Sequence, residues 1–394
     1  VRERAGPLAG TRVIELGVWV AGPGAGGVLA DWGADVIKVE APSGDPFRNL
    51  FRAVAGQDIA SSPPFDFDNR GKRSVVLDLR DPDHGAAMLE LLATADVFLT
   101  NLHPDAVERL GLAPAAVLAA NERIVYASVS GYGLEGPDSH RPGYDLGSFW
   151  ARSGLADHFT PNGRDPNDIR GGFGDHVTAM IAVAGITAAL LERTRTGRGQ
   201  LVETSLLRAG IWCLGWDLGI QLRFGKAAPT LPRAEAVNAM LNSYRAGDGR
   251  WFWLLGLEAD RHWPAVLESI GRPELADDER FADARGRRKN AVALVALLDA
   301  EFAAAPAATW YERFDAAGVW WAPVQRLDEV VEDPQAIVAG AFVDVPGGDG
   351  AEAHRAVASP VTFGRAAPEV AGPVPALGEH TVEVLTELGV TLGA

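Results

Sequence analysis

The chain has 394 residues, 47% of them hydrophobic, with 45 Gly and 25 Pro, enough apolar material for a sizeable core and unlike a disordered or fibrous sequence. Its 52 acidic against 36 basic side chains give a formal charge of -16, which argues against nucleic acid and anionic membrane as partners. A single cysteine, Cys213, rules out an intrachain disulfide and a CxxC metal site, so the expected setting is a reducing, cytoplasmic one.

Arg2, Glu3 and Arg4 followed by a Gly-Pro pair lack the apolar run of a signal peptide. From Thr11 onward, short β-branched runs (12–16, 35–40, 74–79, 95–101, 124–130) alternate with helix-like stretches (24–32, 85–94). That alternation predicts βαβ units and hence an α/β domain with a Rossmann-like, doubly wound parallel sheet. The uncharged stretch 178–191 has 14 residues, short of the ~20 that a membrane span needs, and reads as a buried helix stopped by Gly197. Beyond about 225 the texture changes to an aromatic strand at 251–255 and helical segments at 263–270, 291–304 and 308–317, a smaller α+β domain. The expected division is therefore 1–224 for the large domain, 225–325 for the small one, and 326–394 for a C-terminal segment that returns to the large domain.

Gly22-Pro23-Gly24-Ala25-Gly26-Gly27 fits G-x-G-x-x-G between a strand and a helix, and Glu40 ends the next strand 18 residues after Gly22. Three readings stay open: an NAD site, a site for another phosphate-bearing ligand, or a tight turn that merely allows close packing. Asp175, just ahead of the apolar helix and flanked by Gly171, Gly172 and Gly174, is either an N-cap or a carboxylate nucleophile. Arg70, Lys72 and Arg73 form the densest basic run of the first half, a solvated turn or a phosphate grip. His103 and Arg109 follow a strand end, where open α/β sheets bind ligands. His176 adjoins Asp175, but neighbours on a helix diverge, so no His/Asp pair is implied. No His cluster has zinc-ligand spacing and no G-x-S-x-G occurs, so neither a metal nor a serine nucleophile is expected. Trp251, Trp253, Trp320 and Trp321 read as core or interface aromatics, or as a wall for an acyl chain.

Taken in order, several segments resemble the family III CoA-transferases, the group of formyl-CoA and carnitine-CoA transferases and α-methylacyl-CoA racemase. They are Pro7 through Leu16, Ala21-Gly22-Pro23, Gly33 through Glu40 with Gly44-Asp45, Asn69 with Lys72-Arg73-Ser74, and Asn101 through Leu112. Ser130-Gly131-Tyr132-Gly133, Gly143-Tyr144-Asp145, Gly174-Asp175 and Thr196 through Gln200 follow, with looser likeness at Asp333-Pro334-Gln335 and Ser359-Pro360-Val361. The resemblance implies that Asp175 is the catalytic carboxylate, carrying first an acyl group and then CoA. It places Val20 and Ala21 beside the thioester, Lys72, Asn101, Leu102, His103 and Arg109 on CoA, and Tyr144 at the acyl or pantetheine end. It further implies an interlocked, ring-like homodimer.

The sequence also departs from the family pattern. Val20 stands where formyl-CoA enzymes have glutamine, and Tyr144 where racemases have histidine, while the glycine-rich small-domain loop is reduced to Leu255-Gly256-Leu257-Glu258. A phenol near its ordinary pKa of about 10 is a poor acid/base at neutral pH, which disfavours racemisation. The expectation is an acyl-CoA:carboxylate CoA-transferase of acyl-CoA or lipid metabolism, with coenzyme A as substrate and neither metal nor NAD. A 2-methylacyl-CoA racemase is the alternative; an NAD-dependent oxidoreductase and a silent CoA-binding protein stand further off.

Overall fold

The computed structural model describes residues 4–55, 62–348, 352–365, 370 and 372–391. In chain order the first elements are β1 (Arg12–Leu16), α1 (Ala21–Asp31), β2 (Asp35–Glu40), α2 (Phe47–Ala55), α3 (Pro63–Asn69), β3 (Arg73–Val76), α4 (Pro82–Ala93) and β4 (Val97–Thr100). There follow α5 (Pro104–Arg109), α6 (Pro114–Ala120), β5 (Val125–Ser130), a turn of π-helix over Leu146–Ala151, α7 (Leu155–His158), α8 (Phe173–Thr196), β6 (Leu201–Ser205), α9 (Leu206–Cys213) and α10 (Gly215–Phe224). Strands β1 to β6 form one parallel sheet in the order β3-β2-β1-β4-β5-β6, the doubly wound topology expected from the alternating sequence pattern.

Successive side chains on these strands serve opposite faces. Val13, Val36, Val97, Leu99 and Ala127 pack on one side with Leu29 of α1 and with Ala182, Val183 and Ile186 of α8. Ile14, Ile37, Val39, Phe98 and Tyr126 pack on the other with Met88, Leu91 and Leu92 of α4 and Val117 of α6. Both faces being covered, the central strands are buried at every position rather than alternating buried and exposed.

Helix α8 departs from expectation. It runs 24 residues, long and apolar enough by length and composition to cross a membrane, because helical geometry continues through Glu192, Arg193 and Arg195, beyond the uncharged stretch. One face is nonetheless buried against the sheet.

A polar network interrupts the apolar layers. Glu15 pairs in register with Lys38 of β2, and its two carboxylate oxygens take Lys38 Nζ at 2.9 Å and Lys72 Nζ at 2.6 Å. All three side chains are fully buried, and Lys38 also reaches Asp45 at 3.0 Å. Burial pulls the Lys72 ammonium down to about 8 despite Glu15, while burial of Glu15 is outweighed by the two lysines, which hold its carboxyl below the usual range.

The chain divides into two compact units, 1–159 with 166–227 and 335–394, and 160–165 with 228–334. The second contains β7 (Leu241–Arg245), β8 (Trp251–Leu255), α11 (Ala259–Ile270), α12 (Ala284–Lys289), α13 (Ala291–Phe302), α14 (Ala307–Ala317), β9 (Trp321–Pro323) and α15 (Leu327–Val330). Its antiparallel sheet β7-β8-β9 packs Tyr244, Phe252, Phe302, Trp310 and Phe314 into an aromatic core, each such side chain contributing about 1.5–3 kcal/mol by leaving water. Strand β8 alternates, with Phe252 and Leu254 inward and Trp251 and Trp253 on the open face; Trp320 is also exposed, and Trp321 stacks on Tyr311. The chain then passes through α16 (Pro334–Val338), β10 (Phe342–Val345) and β11 (His354–Val357), and ends its helices with α17 (Thr381–Glu387), whose Val384 and Leu385 join the apolar cluster on the α4 face of the first sheet.

Candidate active site

In a 3-2-1-4-5-6 sheet the connections run opposite ways from β1 and β4, which opens a crevice at the carboxyl ends of these two adjacent strands. Asn101, just past β4, clamps the loop leaving β1: Val18 N–H donates to its Oδ1 at 3.0 Å and its Nδ2 donates to Val18 O at 2.7 Å. Next in that loop, Trp19 takes φ 66°, a left-handed conformation strained for a bulky side chain, and its N–H donates to Asp45 Oδ1 at 3.1 Å. The Lys38–Asp45 pair thus carries the buried network to the crevice. Val20 and Ala21 follow, both buried, as α1 begins.

The glycine-rich segment is not a turn, as the sequence pattern suggested. Gly22, Gly24, Gly26 and Gly27 lie inside α1 and are buried there. A Cβ on Gly22 would stand 2.9 Å from the Asn101 amide, and one on Gly26 would strike the Glu15 carboxylate, so the glycines admit polar side chains against the helix. Glu40 is equally committed, bound by Arg48 and by the Ser74 hydroxyl. Of the readings left open by the sequence, close packing is the one this geometry supports.

The basic run also differs from a phosphate grip. Arg70 pairs with Asp31 and Arg73 with Asp35 and Glu387, while Lys72 Nζ donates to Glu15, to Pro23 O at 2.8 Å and to Asn69 Oδ1 at 3.0 Å. All three cations are buried and face carboxylates. The expected contact of Lys72 with CoA is therefore corrected: an ammonium with three donors and three partners has none to offer a phosphate.

Asp175 is placed by glycine. Gly172, at φ 87°, is the N-cap of α8, and a Cβ there would lie 3.7 Å from Val20 Cγ1; at Gly174 a Cβ would run into the Phe149 ring. The first turn of α8 can therefore close on Phe149, with Gly172 near Val20, and Asp175 enters that turn as its third residue rather than as the cap. Among the described residues, no main-chain amide contributes to its proton affinity. Burial raises its pKa to about 7, helped by the charge of Asp145 and then of Asp68, against the pull of His176. Asp145 caps the π-helical turn, with Oδ1 accepting from Leu146 N–H. Beside it Tyr144 is exposed and stands edge-on to Trp19, ring centroids 5.9 Å apart. His176 turns away from Asp175 to Asp68, Nε2 to Oδ1 at 2.9 Å, and that carboxylate holds its pKa up although burial opposes it.

The remaining expected residues lie on the turn after β4. Leu102 is half-buried against the α4-side cluster; His103 is the N-cap of α5, its Nδ1 accepting from Asp105 N–H at 3.4 Å; Arg109 ends α5 exposed to solvent. Val20, Ala21 and Asn101 thus meet at the crevice, Tyr144 joins them through Trp19, and Asp175 through Gly172. The sequence reading missed Trp19, Asp68 and Asp145. Asp68 meets His176 across 108 residues of chain, a distance no local motif spans.

A pH dependence follows. An ionised Asp175 is required of a nucleophile, so turnover at low substrate is expected to fall about tenfold per pH unit below about 7 and to level off above it. Because the folded-state value lies above the ordinary 3.8, Asp175 favours the folded state fully only below 3.8, and this contribution is lost as pH rises to about 7, by about 1.4 kcal/mol per unit. Melting temperatures of wild type and Asp175→Asn should therefore diverge in favour of the variant between pH 5 and about 7 and run parallel above; a gap that shrinks with pH would contradict this.

Comparison with known proteins gives a consistent result. Residues 8–381 match the family described as CoA-transferase family III. The chain is 30% identical to the cinnamoyl-CoA:phenyllactate CoA-transferase of Clostridium sporogenes over 98% of its own length and 94% of that protein's. It is 32% identical to a probable fatty acyl-CoA transferase of Mycobacterium tuberculosis, over 97% and 98%. The crystal structure of a CAIB/BAIF family protein from Brucella suis shares 31% identity and superposes with a TM-score of 0.84, covering 97% of this chain and 99% of that one.

Proposed function

The chain belongs to CoA-transferase family III, and from that premise we propose that it moves CoA from an acyl-CoA donor to a carboxylic acid through covalent intermediates on Asp175. One observation carries the reading: a desolvated carboxyl, unclaimed by any main-chain amide of the described residues, in the first turn of α8, whose N-cap Gly172 lies near Val20. Asp175 attacks the thioester carbonyl and the C–S bond breaks, leaving a mixed anhydride and CoA thiolate. The thiolate attacks the aspartyl carbonyl, expelling the donor acid and leaving an aspartyl-CoA thioester. The acceptor carboxylate then attacks the aspartyl-CoA carbonyl and expels CoA thiolate, the second step in reverse, giving a new mixed anhydride. The thiolate attacks the acceptor acyl carbonyl of that anhydride, and the bond to Asp175 breaks to give acceptor acyl-CoA and the free carboxylate. Proton release at about 7 makes the carboxylate available near neutral pH while keeping it poorly solvated and hence reactive.

CoA is assigned to the crevice beside Val20 and Ala21, along Leu102, His103 and Arg109, with the acyl end near Tyr144; Asn101 acts by holding the β1 loop. Apolar Val20, Trp19 and Phe173 around the site suit a hydrophobic acyl group, as in lipid-type acids. The assembly is a homodimer, interlocked as in the family, and the cell compartment cytoplasmic. Support for the dimer comes from α9 and α10: none of the ten residues of α10 is buried, and Trp216 and Leu222 are 83% and 87% exposed. Apolar patches of this kind on a folded chain mark interfaces.

A second reading, 2-methylacyl-CoA racemisation, is favoured by one feature, the proximity of the Asp145 charge to a carboxyl that titrates near neutrality. One experiment separates the readings. The enzyme is incubated in deuterated water with a panel of acyl-CoAs and carboxylates, and products and native protein mass are read by mass spectrometry. New acyl-CoA species without α-deuterium, on a two-chain particle, are expected. Deuterium at the α-carbon without exchange of acids would select the racemase, and bound CoA with neither would leave a silent binder.

A further inference from the structure

Although no His cluster shows zinc-ligand spacing along the sequence, the fold assembles one. We propose that His103, Asp105 and His140 form a binding site for a divalent ion of the zinc class, which pins the segment carrying Tyr144 and Asp145 to the turn after β4. One ligand atom from each residue lies within 4.8 Å of the others. Asp105 sits between the two imidazoles, Oδ1 at 2.8 Å from His140 Nδ1 and Oδ2 at 3.6 Å from His103 Nδ1. Around a tetrahedral ion with ligand bonds of ~2.1 Å, neighbouring donors stand about 3.4 Å apart, so these spacings bracket what an ion requires. Two imidazoles and one carboxylate suit zinc, cobalt or nickel and are a poor set for magnesium or calcium, which prefer oxygen.

The supports are built in. His103 and Asp105 flank Pro104 at the start of α5, where the Asp105 N–H makes only a long 3.4 Å bond to His103 Nδ1, whose lone pair would pass to the ion on binding. His140 comes from a turn closed by Ser139 N–H to Gly136 O and by Arg141 N–H to Asp138 O. Asp138 is in turn held by Arg152 at 2.6 Å, at the end of the π-helical turn that Asp145 caps. Since 35 residues separate Asp105 from His140, a bound ion would act as a cross-link between the two loops, with at least one coordination position left for water.

The test needs no CoA, so its outcome is independent of the transfer reading. Chelator-stripped protein is titrated with zinc chloride by calorimetry, and with cobalt chloride by visible absorption. One saturable ion per chain and a rise in melting temperature are expected. His140→Ala and Asp105→Asn, both on exposed or half-exposed positions, should each weaken binding at least about 10-fold, and His84→Ala, on α4, should not. No saturable uptake, or uptake that His140→Ala leaves unchanged, would overturn the proposal.

Discussion

Asp175→Ala is expected to lower CoA transfer at least about 1,000-fold, roughly 4 kcal/mol of transition-state stabilisation, with CoA still bound. The reason is chemical: every step of the proposed cycle makes or breaks a bond to this carboxyl, and no neighbour can take its place. Asp145 is spent in part on the Leu146 amide, Asp68 is nearly fully buried and tied to His176, and the Tyr144 side chain is exposed to solvent. CoA binding should survive because the residues assigned to it lie on the β1 and β4 loops rather than on α8. Steady-state exchange kinetics together with a CoA titration check both halves. A loss below about tenfold, ~1.4 kcal/mol, would remove Asp175 from the chemistry.

The second large effect concerns stability. Glu15→Ala is expected to cost about 3–5 kcal/mol, because it strands Lys38 and Lys72 as buried cations with one carboxylate fewer between them. Against a total stability of about 5–15 kcal/mol this is severe, and urea denaturation of the purified variant would read it directly. Adding Lys72→Met, which removes one of the two stranded cations at similar volume, should recover part of the loss. Kinetic consequences should follow as well, since Lys38 anchors Asp45 and Asp45 anchors Trp19 over the crevice. A Glu15→Ala cost below about 1 kcal/mol would contradict the view that this network holds the strand ends in register.

The sheet was legible because its signals are local. β-Branched runs separated by helix-length stretches announce a parallel sheet whatever the rest of the chain does, and β1, β2 and β5 fall where the pattern puts them. The glycine-rich segment misled for the same reason. G-x-G-x-x-G describes a phosphate turn only when the helix starts after it, and here the helix starts at Ala21 because Asn101 and Glu15, remote in sequence, fill the space that side chains would occupy. Charge was the least legible property. Arg70, Lys72 and Arg73 look solvent-facing in a row, yet each meets a carboxylate delivered by another element, from Asp31 to Glu387. Asp175 is singled out by the resemblance and its glycine context; the source of its raised proton affinity, burial and then Asp145, required the fold. His140 joined Asp105 for the same reason, through tertiary contact alone.

The central claim is that the Asp175 carboxyl carries the acyl group and then CoA. It is tested most directly by mixing enzyme with a donor acyl-CoA alone, trapping with hydroxylamine or borohydride, and locating the modification by peptide mass spectrometry. The account predicts a modified peptide at Asp175, absent from Asp175→Ala. Sustained transfer with Asp175 unmodified, or an adduct on another residue, would contradict it.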